Sequence, residues 1–171
     1  FTTSESANAN LRRSGVDEAR IFFVGNTMID TLLANLARLR KPPFFDAMDL
    51  AAGGYFVVTL HRPANVDGEQ QLLRLLQAIA AGAAGLPVVF PVHPRTRNNL
   101  ERFGLLGELD APGFLLLPPQ GYLEMLGLMS GAKMVLTDSG GIQEETTALG
   151  VPCLTIRENT ERPITVDQGT N

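Results

Sequence analysis

Short apolar runs separated by segments of helical period constrain this 171-residue chain more than any other feature. Tyr55-Phe56-Val57-Val58-Thr59-Leu60, Leu86 to Val92, Phe114-Leu115-Leu116-Leu117, Met134-Val135-Leu136 and Cys153 to Ile156 have the length of strands and no apolar–polar alternation. Strands of that kind are buried on both faces, as in parallel sheets covered by helices. Ile21-Phe22-Phe23-Val24 reads as a further buried strand of the same type. The intervening segments supply the helices. Met28, Ile29, Leu32, Leu33 and Leu36 recur at helical spacing, and so do Leu72, Leu73, Leu75, Leu76 and Ile79. Ser4 to Ser14, Thr96 to Phe103, Tyr122 to about Met129 and Ile142 to Leu149 complete the alternation. The pattern predicts an α/β fold with a parallel sheet and helices on both faces.

In such a sheet, ligands bind at the carboxyl ends of the strands. The residues that can do chemistry fall at that edge. His61-Arg62-Pro63 follows one strand, His93-Pro94-Arg95 the next, then Pro118-Pro119, then Thr137-Asp138-Ser139-Gly140-Gly141. Both histidines of the chain are among them. Adjacent glycines let backbone N–H groups face a ligand, and the first turn of a helix leaves its N–H groups unpaired and partially positive. Ser139-Gly140-Gly141 is therefore either an anion site for a phosphate or diphosphate, or an ordinary strand–turn–helix link capped by Asp138 or Ser139. Glu144 and Glu145 lie deeper in that helix, where one of them can accept hydrogen bonds from a vicinal diol such as a ribose. Thr160-Glu161-Arg162-Pro163 follows the last strand. There Arg162 is either a charge-assisted clamp on a phosphate or a solvated loop arginine.

Several function classes are disfavoured. A net charge of −4 with no basic run argues against a nucleic-acid surface. No stretch approaches the ~20 apolar residues of a membrane span. Two widely separated histidines and one cysteine give no zinc spacing. Ser139 lacks the preceding glycine that a nucleophile elbow requires. Cys153, within Val-Pro-Cys-Leu-Thr-Ile, reads as a buried strand thiol, and a lone cysteine suits a cytoplasmic location. Phe1 begins mid-pattern without an initiator Met, so the chain reads as part of a longer protein. Residues 1–20 are then expected to end a preceding domain and linker, and 21–171 to form the next domain, truncated at its C-terminus.

Taken together, Thr59-Leu60-His61-Arg62-Pro63-Ala64-Asn65-Val66-Asp67, Pro91-Val92-His93-Pro94-Arg95, Thr137-Asp138-Ser139-Gly140-Gly141-Ile142-Gln143-Glu144-Glu145 and Arg157-Glu158-Asn159-Thr160-Glu161-Arg162-Pro163 resemble the non-hydrolysing UDP-N-acetylglucosamine 2-epimerases. Gly25-Asn26-Thr27-Met28-Ile29-Asp30 fits the same family, and the resemblance covers nearly the whole chain. It implies a Rossmann-like parallel sheet forming the C-terminal half of a two-domain glycosyltransferase B-type fold, with substrate between the domains. The implied reaction interconverts UDP-N-acetylglucosamine and UDP-N-acetylmannosamine, in cell-surface polysaccharide biosynthesis. UDP is eliminated to leave an enzyme-bound 2-acetamidoglucal, then added back on the other face, with no cofactor.

By motif, the resemblance gives Ser139, Gly140 and Gly141 the diphosphate, with Arg162 and His61 beside it and His61 as the catalytic candidate. Glu145 would bind the ribose, and the segment from Pro119 to Met125 would pack on the uracil. His93 and Arg62 would lie near the inter-domain cleft, where some bacterial members bind a second substrate molecule as an activator. The implied partners are the UDP-sugar, the missing N-terminal domain and, at full length, a second copy in a homodimer. The proton-transfer acids would lie in the missing domain, so this chain alone would bind without turning over. Ala64 and Ile164 stand where relatives carry Glu. An epimerase for a different UDP-sugar, such as a diacetamido-uronic acid, stays open, as does a non-catalytic UDP-sugar-binding module.

Overall fold

The computed structural model describes residues 1–42, 44–110 and 113–171. It contains two compact units, Phe1–Ala37 and Arg38–Asn171. In the first unit, α1 (Glu5–Arg13) is capped by Ser4, whose Oγ accepts from the Ala7 N–H at 3.3 Å. Asn26 caps α2 (Thr27–Asn35) in the same way, accepting from the Met28 N–H at 3.0 Å. Each cap satisfies a donor that the helix itself leaves unpaired.

Ile21–Val24 does not form the buried strand that its composition suggests. It makes one isolated parallel bridge, Thr2 to Phe23, and Phe22, Phe23 and Val24 are 54%, 54% and 51% exposed. An apolar run records a tendency to be buried, but a strand also needs neighbours for its N–H and C=O groups. Among the described residues, Thr2 bonds Phe22 and Val24, and the Ile21 N–H turns back to the Glu18 carbonyl at 3.0 Å.

The second unit runs α3 (Phe44–Ala47), β1 (Phe56–Thr59), α4 (Pro63–Val66), α5 (Glu69–Ala83), β2 (Val88–Pro91), α6 (Pro94–Arg102), β3 (Phe114–Leu117), α7 (Tyr122–Ser130), β4 (Met134–Thr137), α8 (Gly140–Leu149), β5 (Cys153–Thr155) and α9 (Pro163–Asp167). The five strands form one sheet in the order β3-β2-β1-β4-β5, and every pairing is parallel. The chain moves outward from β1 to β3, then crosses back to the other side of β1 to lay down β4 and β5. The two crossovers diverge at β1 and β4, which opens a crevice at the carboxyl ends of that pair. This is a parallel sheet, as the sequence pattern predicts, and a Rossmann-like one, as the family resemblance implies.

Alternate strand residues face opposite layers. Val58, Val88, Phe90 and Leu136 pack with Leu72, Leu76, Ile79 and Ala83, the helical stripe of α5. Val57, Val89 and Val135 point the other way and are fully buried as well. That second layer includes Leu126, Leu128 and Met129 of α7 and the buried Tyr55, whose hydroxyl donates to the Leu128 carbonyl at 2.6 Å. Beside α5, an apolar groove of about 410 Å³ lined by Ile79, Met134, Leu136, Leu154 and Ile156 stays open.

Two helix glycines should respond oppositely to the same substitution. A side-chain carbon at Gly82 in α5 meets nothing within 4 Å, whereas one at Gly127 in α7 collides with the backbone carbonyl of Arg40. Gly82→Ala should raise stability by ~0.5–1 kcal/mol through helix propensity. Gly127→Ala should lower it by ~1–3 kcal/mol, because backbone cannot swing aside as a flexible side chain can. Urea unfolding of the two variants beside the parent measures both signs.

Candidate functional site

At the mouth of the crevice, Thr59 and Thr137 are register partners on β1 and β4, and their hydroxyls lie 2.6 Å apart. The Ser139 N–H donates to the Thr137 hydroxyl at 3.0 Å, which starts the turn into α8. Between these two residues sits Asp138, with no exposed surface. Its carboxylate accepts the backbone N–H groups of His61 at 3.0 Å and Arg62 at 2.8 Å, and the Asn65 side-chain amide at 3.0 Å. His61 Nδ1 lies 2.8 Å from the other carboxylate oxygen. Asn65 also donates to the Ile156 carbonyl at 3.0 Å, so the same cluster ties down the end of β5. A buried carboxylate is costly unless its oxygens are hydrogen-bonded, and here they are.

The N-cap of α8 is Ser139, not Asp138, and among the described residues no side chain makes a capping bond there. The first N–H groups of α8 therefore face outward over Gly140 and Gly141 with their partial positive charge. Over this turn lies the carboxylate of Glu161, close enough that a side-chain carbon at Gly140 would collide with it. Glu161 pairs with Arg157 at 2.7 Å and reaches Arg62 at 3.5 Å. A hydrogen bond from its own backbone, then the Arg157 contact and the charges of Arg157 and Arg62, hold its carboxyl below the usual range. The position favours an anion, and an acidic side chain of the chain itself sits in it.

Arg162 is paired with Glu144, Nε to Oε2 at 3.0 Å. Glu145, one residue on, is only 7% exposed, and burial pushes its carboxyl up to about 6. Hydrogen bonding by the Tyr122 hydroxyl, from the first turn of α7, pulls the other way, and the Glu144 charge adds a smaller upward push. His93 is the N-cap of α6, its Nδ1 accepting from the Arg95 N–H at 3.2 Å. Its ring centroid stands 5.5 Å from that of His61, so the two histidines are neighbours. Among the described residues, no group of three or more His, Cys, Asp or Glu is placed to hold a metal ion.

The model of the UDP-N-acetylglucosamine 2-epimerase family matches residues 1–171, the entire chain. The chain belongs to this family.

The UDP-N-acetylglucosamine 2-epimerase of Methanocaldococcus jannaschii is 41% identical over 178 residues, covering 100% of this chain and 48% of the relative. The crystal structure of that enzyme in complex with UDP-GlcNAc and UDP superposes with a TM-score of 0.90 and the same coverage. The UDP-2,3-diacetamido-2,3-dideoxy-D-glucuronate 2-epimerase of Pseudomonas aeruginosa is 37% identical over 100% of this chain and 47% of its own length. The chain thus spans about half the length of the curated relatives it matches.

Within this family member, the fold brings His61, Arg62, His93 and Ser139-Gly140-Gly141 to one edge of the sheet. Met125 lies half-buried on α7, one turn after Tyr122, and Tyr122 is the α7 residue that meets Glu145. Arg162 is near the turn but is held by Glu144. Sequence reasoning missed Asn65, Arg157 and Glu161 as participants and gave Asp138 only the role of a possible cap. A signal was available for one pair: Arg157 and Glu161 stand four apart, close enough to pair across a turn.

Glu145 yields a pH prediction. Its carboxyl is about 6 in the folded chain against an ordinary 4.5, so the folded state binds this proton more tightly than the unfolded state does. The associated stability is fully present below about pH 4.5 and is lost as pH rises through about 6, a change of ~2 kcal/mol. Glu145→Gln should therefore be more stable than the parent at pH 7.5 by up to ~2 kcal/mol, and the gap should close near pH 4.5. Thermal unfolding of both proteins at the two pH values tests this, and a gap independent of pH would contradict it.

Proposed function

We propose that this chain is the UDP-binding part of a non-hydrolysing UDP-N-acetylglucosamine 2-epimerase. The observation that carries the reading is the uncapped start of α8 at the sheet's switch point, with a carboxylate already lying there between Arg62 and Arg157. That is a site built for an anion, at the edge where such folds bind nucleotides. The reading is supported by the M. jannaschii structure, which holds UDP-GlcNAc and UDP on a chain 41% identical to this one.

In this reading the β-phosphate of UDP sits on the N–H groups of Ser139, Gly140 and Gly141. Glu161 withdraws as the ligand enters, and the arginines it leaves turn to the phosphates. Arg162 contributes after exchanging Glu144 for the diphosphate. Breaking the anomeric C–O bond places negative charge on departing UDP, and preorganised donors stabilise charge that develops in the transition state. In this reading His61 is the side chain that faces that oxygen. Glu145 accepts from the ribose hydroxyls, with Tyr122 and Met125 against the uracil, and His93 borders the sugar side.

Epimerisation at carbon 2 also needs a base and an acid on opposite faces of the sugar, each within about 3 Å of the proton it moves. With His61 and Glu145 committed to UDP, His93 is left without a partner, so that pair belongs to the rest of a longer protein. At full length the protein would work as a homodimer in the cytoplasm. The P. aeruginosa relative favours keeping a second reading, in which the sugar is a diacetamido-uronic acid. Calorimetry with UDP-N-acetylglucosamine and that sugar nucleotide separates the two.

Two outcomes follow. UDP should bind the chain, and Gly140→Val should abolish binding by blocking backbone approach; equal affinity for parent and variant would remove the turn from the site. Incubation with UDP-N-acetylglucosamine in deuterated water should give no deuterium at carbon 2 from this chain alone. Exchange should appear only when the other half of the protein is supplied, and exchange without it would locate the proton transfers in these 171 residues.

A further inference from the structure

We infer that Asp138 is a positioning residue that fixes the tautomer and direction of His61, an inference that rests on the UDP reading above for its consequence. The imidazole stands two residues past the end of β1, its side chain is 37% exposed, and the His93 ring beside it, centroids 5.5 Å apart, makes no hydrogen bond that would select a tautomer. What holds it is the 2.8 Å contact from Nδ1 to Asp138. Asp138 in turn cannot move away. It is fully buried, and three further donors from His61, Arg62 and Asn65 pin its oxygens from the β1 end and α4.

An ionised carboxylate only accepts hydrogen bonds, so the nitrogen facing it must carry a proton. His61 is thereby committed to Nδ1–H, and Nε2 is turned away from Asp138. When the ring takes a second proton, Nε2–H becomes a donor aimed outward, and the carboxylate behind it supplies the matching negative charge. This is the arrangement needed to meet an anion that gains charge as it leaves. Arg62 is coupled to the same residue, because its Nε donates to the Asp138 carbonyl at 3.2 Å. Asp138 therefore orders both basic groups that follow β1, His61 through its carboxylate and the Arg62 side chain through its main-chain carbonyl, which Asp138→Asn retains.

A purely structural role would make Asp138 a tie between loops and nothing more. The two roles separate in the long-range ¹H–¹⁵N spectrum of the chain's imidazoles, of which there are two, assigned with His93→Gln. The parent should show neutral His61 as the Nδ1–H tautomer, and Asp138→Asn should move it toward Nε2–H. UDP affinity should fall about tenfold or more in Asp138→Asn, in line with losing a hydrogen bond to a charged group. In a His61→Gln background, adding Asp138→Asn should cost nothing further, since its effect passes through the imidazole.

An Nε2–H tautomer in the parent would overturn the inference, and so would an equal loss of affinity with and without His61. The parent spectrum requires no variant, so it stays decisive if Asp138→Asn fails to fold. Nδ1–H with no UDP binding by the parent would sink the functional reading and leave the Asp138–His61 pair standing. Nε2–H with UDP binding intact would sink the pair alone.

Discussion

The buried carboxylate of Asp138 is the interaction on which the site depends. Burying an ionised acid is tolerable only when its oxygens are fully engaged, and removing its partners would leave an uncompensated charge. That requirement works as a geometric constraint. The backbone after β1 must turn so that two successive N–H groups face β4, α4 must present Asn65, and Asn65 must in turn hold the Ile156 carbonyl at the end of β5. Three chain segments that are far apart in sequence are thereby set around one point. The Ser139-Gly140-Gly141 turn starts from that point, and His61 and Arg62 flank it.

Around this fixed point, several charged groups sit in surroundings that do not favour stability. The start of α8 carries partial positive charge with no capping side chain, and Glu161 fills the position with help from Arg157 and Arg62. Glu145 is buried against its preference for water, which raises its carboxyl to about 6. Arg162 and Glu144 neutralise each other at 3.0 Å, an ion pair that a stronger anion could rearrange. Functional groups held in costly surroundings are what a binding site requires, and the surrounding sheet and α5 supply the stability that offsets them.

Much of this was legible in the residues. The alternation of apolar runs with helical stripes predicts the parallel sheet, and the carboxyl-edge rule places His61, His93 and Ser139-Gly140-Gly141 on one side before any coordinates exist. Ser4 and Asn26 announce the helices they cap, because a cap is a local hydrogen bond between near neighbours. The failures share a cause. Ile21–Val24 has a strand's composition, but among the described residues it finds only an isolated bridge to Thr2. Arg162 looks like a free phosphate clamp until Glu144 is seen beside it, and Tyr122, within the segment expected to pack on the uracil, gains Glu145 as a partner only once α7 is laid against α8. The short α4 was not anticipated, although Pro63 at its first turn is a favoured start.

The sequence by itself determined most of the elements, their order and the sheet edge at which the histidines and the Ser-Gly-Gly turn gather, since periodicity, capping and turn chemistry act over a few neighbouring residues. Family membership was also legible there, in the ordered run of motifs. Tertiary structure decided the strand order β3-β2-β1-β4-β5, and with it the pairing of β1 with β4 that brings His61 to Asp138. It also decided which acids are buried, which are paired and which lies on the anion turn. Those outcomes depend on desolvation and on partners distant along the chain, quantities that have no value until the segments are packed together.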